Sequence, residues 1–209
     1  MGKETEQKQE IVNQGVHTYS QEEAYVWPEE QVLREQLEWF QDQKLALMVH
    51  WGVYNQLGMV ASWALSDEDA EWSRKTVDWT DDGEVFKRQY RALNRAFDPV
   101  AFQPEEWAKM AKKCGFRYLI LTTKHHDGFC LWDTAYTEYK TTAEECPFHT
   151  HKYADIVRAM FDAFRKEGLG IGAYFSKADW HCPDYWEKEK VFTGKTTRNP
   201  TYDPKENPE

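Results

Sequence analysis

Three short apolar runs constrain this fold more than anything else in the chain. Each is preceded by a helical pattern and ends in polar, chemically capable residues. Leu45-Ala46-Leu47-Met48-Val49 runs into His50-Trp51-Gly52. Residues 118–123 run into Lys124-His125-His126-Asp127-Gly128-Phe129, and residues 169–176 are followed by Asp179-Trp180-His181. Uninterrupted apolar runs of this length read as parallel strands buried on both faces. The intervening helices carry their own punctuation. One follows Pro28, with Glu29 and Glu30 at its positive end and Val32, Leu33, Leu37 and Phe40 at helical spacing, and stops before Lys44. Another opens at Pro104 with Glu105 and Glu106, carries Trp107, Met110, Ala111 and Cys114 as its apolar stripe, and closes at Gly115. A third spans 155–166 and ends at Gly168. Residues 53–98 read as a long loop with short helices, one of them over 84–92.

Alternating helices and strands predict an α/β fold with a parallel sheet. Functional residues at strand C-termini are the layout of a TIM-like (β/α) barrel. A doubly wound sheet obeys the same rule, but no GxGxxG or P-loop follows any strand. A closed barrel needs eight strands and about 250 residues. Three strands in 209 residues predict only the first part of such a barrel. Residues 1–24 are polar and aperiodic, so the expected organisation is an N-terminal arm over 1–24 and barrel over 25–209.

The formal net charge of −10 argues against nucleic acid and anionic membranes, which require clustered Lys and Arg. No run of 18 apolar residues is present to span a membrane. The first residues lack the apolar stretch of a signal peptide, which predicts a cytoplasmic or already processed secreted protein. Cys114, Cys130, Cys146 and Cys182 show no CxxC pairing and read as reduced, mostly buried thiols. Ten Trp, with eleven Tyr and eleven Phe, suit ring-shaped ligands such as sugars, whose C–H faces are apolar. Core packing consumes the same residues.

The candidate site is the shared rim of the strand ends. His50, His125 and His126 all fall there, and imidazoles in that position can bond hydroxyls or hold a metal. Asp127-Gly128 is a turn signal, which makes Asp127 a turn-former before a catalyst. Trp51, Trp63, Trp132 and Trp180 sit beyond strands, with Trp51 and Trp132 expected to pack the outer loops. His149-Thr150-His151 and His181-Cys182 raise a metal site as a rival, with His149 and His151 expected to face solvent, but no HExxH or paired-Cys framework supports it. Glycoside hydrolysis needs two carboxylates. Asp127, Asp133 and Asp179 lie near strand ends, yet none pairs convincingly with another.

Five blocks, in order, resemble the α-L-fucosidases of glycoside hydrolase family 29. They are Leu47 to Gly52; Phe97-Asp98-Pro99 with Trp107-Ala108; Thr123 to Thr134, centred on Lys124-His125-His126-Asp127-Gly128-Phe129; Asp155-Ile156-Val157 with Arg165 to Leu169; and Ala173 to Ser176 with Asp179-Trp180. The resemblance covers residues 28–186. It implies an irregular (β/α) barrel followed by a β-sandwich, and a retaining double displacement on terminal α-L-fucose with no metal or other cofactor. It assigns His50, His125 and His126 to the fucose hydroxyls, Trp63 to enclosing the sugar and Tyr174 to the pocket wall. Many members carry Glu directly before the aromatic matching Trp63, where this chain has Ser62.

In that family the nucleophile is an Asp after the fourth strand and the acid/base follows it, so both are expected beyond Glu209. The expected partner is a fucosylated oligosaccharide or glycoconjugate, with a homo-oligomer left open. Two alternatives remain. One is a non-catalytic fucose-binding protein, and the other is a metal-dependent hydrolase using His125, His126, His149 and His151.

Overall fold

Sequence punctuation and helix ends coincide closely. A computed structural model describes residues 27–66 and 70–182 of the chain. The arm expected over 1–24 lies outside the described residues. The chain divides into two compact units, Met1–Asp42 and Gln43–Glu209. In the first, α1 (Gln31–Gln43) starts one turn later than its sequence pattern, with the Arg34 N–H donating to the Glu30 carbonyl at 3.1 Å. None of its residues is buried.

The second unit opens with β1 (Ala46–Val49), followed by 3-10 turns at Val53–Leu57 and Ala61–Leu65. Three helices come next: α2 (Ala70–Ser73), α3 (Gly83–Arg91) and α4 (Pro104–Lys113). A 3-10 turn at Ala92–Ala96 lies between the last two, and β2 (Tyr118–Lys124) follows. The described chain then forms a 3-10 turn at Pro147–Thr150, α5 (Ile156–Lys166) and β3 (Gly170–Phe175).

Side chains set these boundaries. Asp82 caps α3 by accepting from the Glu84 and Val85 N–H groups at 2.9 and 3.0 Å. Asp155 caps α5 through the Arg158 N–H at 2.9 Å. Pro104 opens α4, Glu105 and Glu106 fill its first turn, and Lys112 and Lys113 fill its last.

The three strands are parallel, in the order β1-β2-β3. Ala46 to Val49 stand opposite Tyr118 to Leu121, and Tyr118 to Leu121 stand opposite Gly170 to Ala173. Because the pairing is parallel, His50, His125 and the end of β3 emerge on one edge of the sheet. The helix–strand connections supply the cover: α4 lies against α5, and α5 lies against β2 and β3. Leu119 and Leu121 of β2 and Ile156, Met160 and Phe164 of α5 are fully enclosed. The segment over 53–98 is irregular, as its composition predicts, but it is not peripheral. Tyr54, Phe86, Tyr90 and Phe97 are among the most completely buried side chains of the described residues.

Phe164 has no exposure, so truncation removes both its transfer free energy and its packing. Phe164→Ala is expected to cost about 3–5 kcal/mol. Loss of the cap in Asp155→Ala is expected to cost about 1 kcal/mol. Denaturant midpoints measure both, and equal midpoints for the two variants would contradict this core assignment.

Candidate active site

The site begins with a backbone constraint. β1 ends in His50-Trp51-Gly52, and the Gly52 amide donates to Asn55 Oδ1 at 2.9 Å, turning the chain into the Val53–Leu57 segment. A Cβ on Gly52 would stand 2.4 Å from Tyr54 Cε1, so only glycine lets the buried Tyr54 ring fold back here. The Tyr54 hydroxyl then meets His50 Nδ1 at 2.8 Å.

A second turn follows β2. Gly128 takes φ +81°, and its amide donates to the His125 carbonyl at 3.1 Å. A Cβ there would lie 2.7 Å from both Asp179 Oδ1 and His181 Cβ, so the loop after β3 closes directly on this glycine. That loop is tied down elsewhere too. Lys124 Nζ meets Asp179 Oδ2 at 2.6 Å, and Asp179 Oδ1 accepts from the His181 and Cys182 amides. The Trp180 amide donates to the His126 carbonyl at 2.6 Å.

These turns bring the sequence-predicted rim together. The rings of His50 and His125 are 5.0 Å apart between centroids, and those of His125 and His126 are 4.4 Å apart. Tyr174, near the end of β3, stacks on His125 at 6.1 Å and an interplanar angle of 13°. Trp63 meets His126 edge-on at 5.2 Å and His125 at 6.0 Å. A shallow pocket of about 280 Å³ lies on this side, lined by His50, Tyr54, Asn55, Met59, Val60, Ala61 and Trp63.

Burial governs the protonation of the imidazoles. His125 is only 4% exposed, and burial, followed by repulsion from His126 and His50, lowers its pKa to about 3. Burial also lowers the pKa values of His50 and His126. At neutral pH all three rings are therefore uncharged, and each presents one donor and one acceptor nitrogen. Such an arrangement suits neutral hydroxyls better than anions.

Some residues named from sequence serve other purposes. Asp127 is the turn-former that its Asp-Gly context predicts, and it is also a buried hub. Its carboxylate accepts from the Phe129 amide at 3.1 Å and from the Tyr90 hydroxyl at 2.9 Å. Burial raises its pKa to about 6, against the lowering by these hydrogen bonds. Asp179 is committed to Lys124 and to two amides, and Asp133 accepts from Thr142 Oγ1 at 2.9 Å and Lys140 Nζ at 3.3 Å. All three carboxylates are therefore tied into local structure. Trp51 packs on Phe102, Trp107 and Phe97, and Trp132 lies beside Phe175. Trp180 stacks on His126 at 4.6 Å, beneath the rim rather than on it.

His149 and His151, expected to face solvent, are only partly exposed. Phe148 before them is fully buried and draws the turn inward. His151 stacks on Phe148 at 4.5 Å, and His149 Nδ1 meets the Cys146 carbonyl at 2.8 Å. Among the described residues, no three His, Cys, Asp or Glu side chains are grouped to hold a metal. All four cysteines are free, with Cys130 and Cys146 buried and Cys114 exposed.

Sequence reading missed several contributors. Tyr54 carries a local signal, since Gly52 two residues earlier makes room for its ring. Tyr90 and Ser176 carry none that names their partners, because these lie 37 and 50 residues away.

The model of the alpha-L-fucosidase family matches residues 11–208. Alpha-L-fucosidase 1 of Arabidopsis thaliana is 38% identical over 85 residues, covering 41% of this chain and 16% of that protein. Alpha-L-fucosidase isoenzyme 1 from Paenibacillus thiaminolyticus superposes with a TM-score of 0.58 at 37% identity, over 75% of this chain and 32% of that one. An alpha-L-fucosidase from Bacteroides thetaiotaomicron, solved as a covalent intermediate trapped with 2-fluoro-fucosyl fluoride, gives 0.58 at 30% identity, over 78% of this chain and 34% of that one. The chain thus spans about a sixth of the plant relative and a third of these structures.

The neutrality of His125 has a measurable consequence. Unfolded, it takes up a proton near pH 6.5; folded, only near about 3. The unfolded state binds more protons between these values, so this group's contribution to stability falls as the pH drops through that window. Asp127 acts oppositely. Folded, it holds its proton up to about 6, so its contribution rises as the pH falls through that value. The His125 ring-proton NMR shift is expected to stay constant from pH 8 to pH 5. A titration midpoint near 6.5 would contradict the burial account.

Proposed function

The chain belongs to the alpha-L-fucosidase family, and from that premise we propose that it forms part of the catalytic domain of a retaining exo-glycosidase releasing terminal α-L-fucose from glycoconjugates. The observation that carries this reading is the convergence of His50, His125, His126, Trp63 and Tyr174 on the carboxyl edge of one parallel sheet. In this reading the three imidazoles bond the hydroxyls of fucose. Trp63 packs against its apolar face and Tyr174 lines the wall. The uncharged state of the imidazoles supports a polyol ligand, because neutral rings can both donate to and accept from hydroxyls.

The sheet is proposed to be the first arc of a (β/α) barrel. Among the described residues β1 and β3 each pair on one side only, which is what neighbouring barrel strands would complete. The carboxyl edge of that sheet is also where barrel enzymes carry their sites. The two carboxylates of the double displacement are proposed to lie outside the described residues. In the first step one carboxylate attacks the anomeric carbon while the other protonates the departing oxygen, and in the second water releases fucose. The residues of this chain hold the sugar through both steps. A non-catalytic fucose-binding role is the second reading, because Asp127, Asp133 and Asp179 are all otherwise engaged.

Release of the aryl group from an aryl α-L-fucoside by the intact protein tests the proposal. Hydroxyl contacts that strengthen in the transition state supply several kcal/mol in such reactions. His125→Ala is therefore expected to lower kcat/KM on the order of 100-fold, at roughly 1.4 kcal/mol per factor of ten. Wild-type kcat/KM in that variant would remove His125 from the site. Saturable fucose binding without turnover would favour the second reading.

A further inference from the structure

The three imidazoles are not equivalent, and the hydroxyls behind them say why. The Tyr54 phenol has His50 Nδ1, at 2.8 Å, as its hydrogen-bond partner among the described residues. Tyr54 is buried, so a phenol that accepted from Nδ1 would leave its own proton without a partner among the described residues; it therefore donates to His50. Ser62 is fully buried, and its Oγ already accepts from the Asp127 amide at 3.1 Å. Its nearest acceptor is His125 Nδ1, at 2.7 Å. The Asp127 carboxylate, close by, is already supplied by Tyr90 and the Phe129 amide. Ser62 therefore donates to His125. Ser176 is different. Its hydroxyl donates to the Ala178 carbonyl at 3.0 Å, which leaves Oγ only as an acceptor for His126 Nδ1.

We propose that Tyr54, Ser62 and Ser176 are positioning residues that fix the tautomers of the rim, so that His50 and His125 present Nε2–H donors and His126 presents an Nε2 acceptor. The inference rests on the fucosidase reading and deepens it. The rim is then complementary to a ligand that offers oxygen lone pairs at two positions and a hydroxyl proton at the third. Each sugar hydroxyl has one proton and two lone pairs, so this polarity chooses among hydroxyl orientations. It also gives Ser62 a role. Ala61 before it holds φ +52°, a conformation that costs a non-glycine residue about 1–2 kcal/mol, and that strained turn accompanies the burial of Ser62 under His125. The residue before Trp63 thus serves the site from behind, by orienting His125.

The test is a long-range proton–nitrogen NMR spectrum of the full chain labelled with 15N-histidine, above pH 7, before and after addition of L-fucose. His50 and His125 are expected to show pyridine-type Nδ1 and pyrrole-type Nε2 signals, and His126 the reverse. Any of the three rings in the opposite or a freely exchanging state overturns the proposal, whether or not fucose binds. Unchanged histidine signals at saturating fucose count instead against the fucosidase reading, because the tautomers are read in the free protein.

Variants add a functional readout. Tyr54→Phe removes one oxygen and should bring His50 into tautomer exchange. Ser62→Ala should do so for His125 and weaken fucose binding about tenfold, and Ser62→Thr should restore both. Restored binding without a restored tautomer would reduce Ser62 to a packing role. Monofluorinated fucoses complete the test, since fluorine cannot donate. One position of substitution should abolish binding, and the positions facing His50 and His125 should be tolerated. Equal tolerance at every position would overturn the assigned polarity.

Discussion

Everything at this rim depends on burying a polar turn. Thr122, Thr123, Lys124, His125 and Asp127 follow one another at the end of β2, and each is 5% exposed or less. Buried polar groups cost several kcal/mol unless partnered, and buried charges cost more. The partners cannot come from the turn alone. The Thr123 hydroxyl donates to the Tyr174 carbonyl, Lys124 pairs with Asp179, His125 meets Ser62, and Asp127 accepts from Tyr90. Those partners belong to the segment after β1, to α3, to β3 and to the loop beyond it. Satisfying one turn therefore fixes four separate pieces of chain against β2, and the histidines are held as a consequence. Thr122 Oγ1 is the exception, buried with no hydrogen-bond partner among the described residues.

This dependence also explains what was legible in the sequence. The helices α4 and α5 and the strands β2 and β3 announce themselves, because caps, periodicity and apolar runs are local signals. The carboxyl-edge rule then places His50, His125 and His126 together without any knowledge of distance. Partners across 37 to 65 residues of sequence leave no local trace. Tyr90 looks only like the apolar face of α3, one turn after Phe86. Ser62 reads as a departure from the family pattern, whereas it lies under His125 and orients it. His149 and His151 mislead for the same reason. An HxH spacing suggests metal binding or a solvent-facing turn, but the preceding Phe148 is a core residue and both imidazoles are half-buried beside it.

The chemistry follows from the same enclosure. Desolvation keeps His125 neutral, and the adjacent rings add repulsion that opposes charging any of them. A site of neutral imidazoles, flanked by Trp63 and Tyr174, offers hydrogen bonds and apolar faces but little electrostatic attraction. That combination matches a deoxy-sugar, which has hydroxyls on its rim and a methyl group. The acids nearby are spent on structure: Asp127 under the turn, Asp179 on Lys124, and Asp133 at the surface with Lys140 and Thr142.

Calorimetric titration of the purified protein with L-fucose, against D-fucose as the mirror-image control, tests the central claim most directly. The account predicts saturable one-to-one binding of L-fucose that is lost in His125→Ala, with no binding of D-fucose. Equal affinity for the two sugars, or L-fucose binding that survives loss of His125, would contradict it.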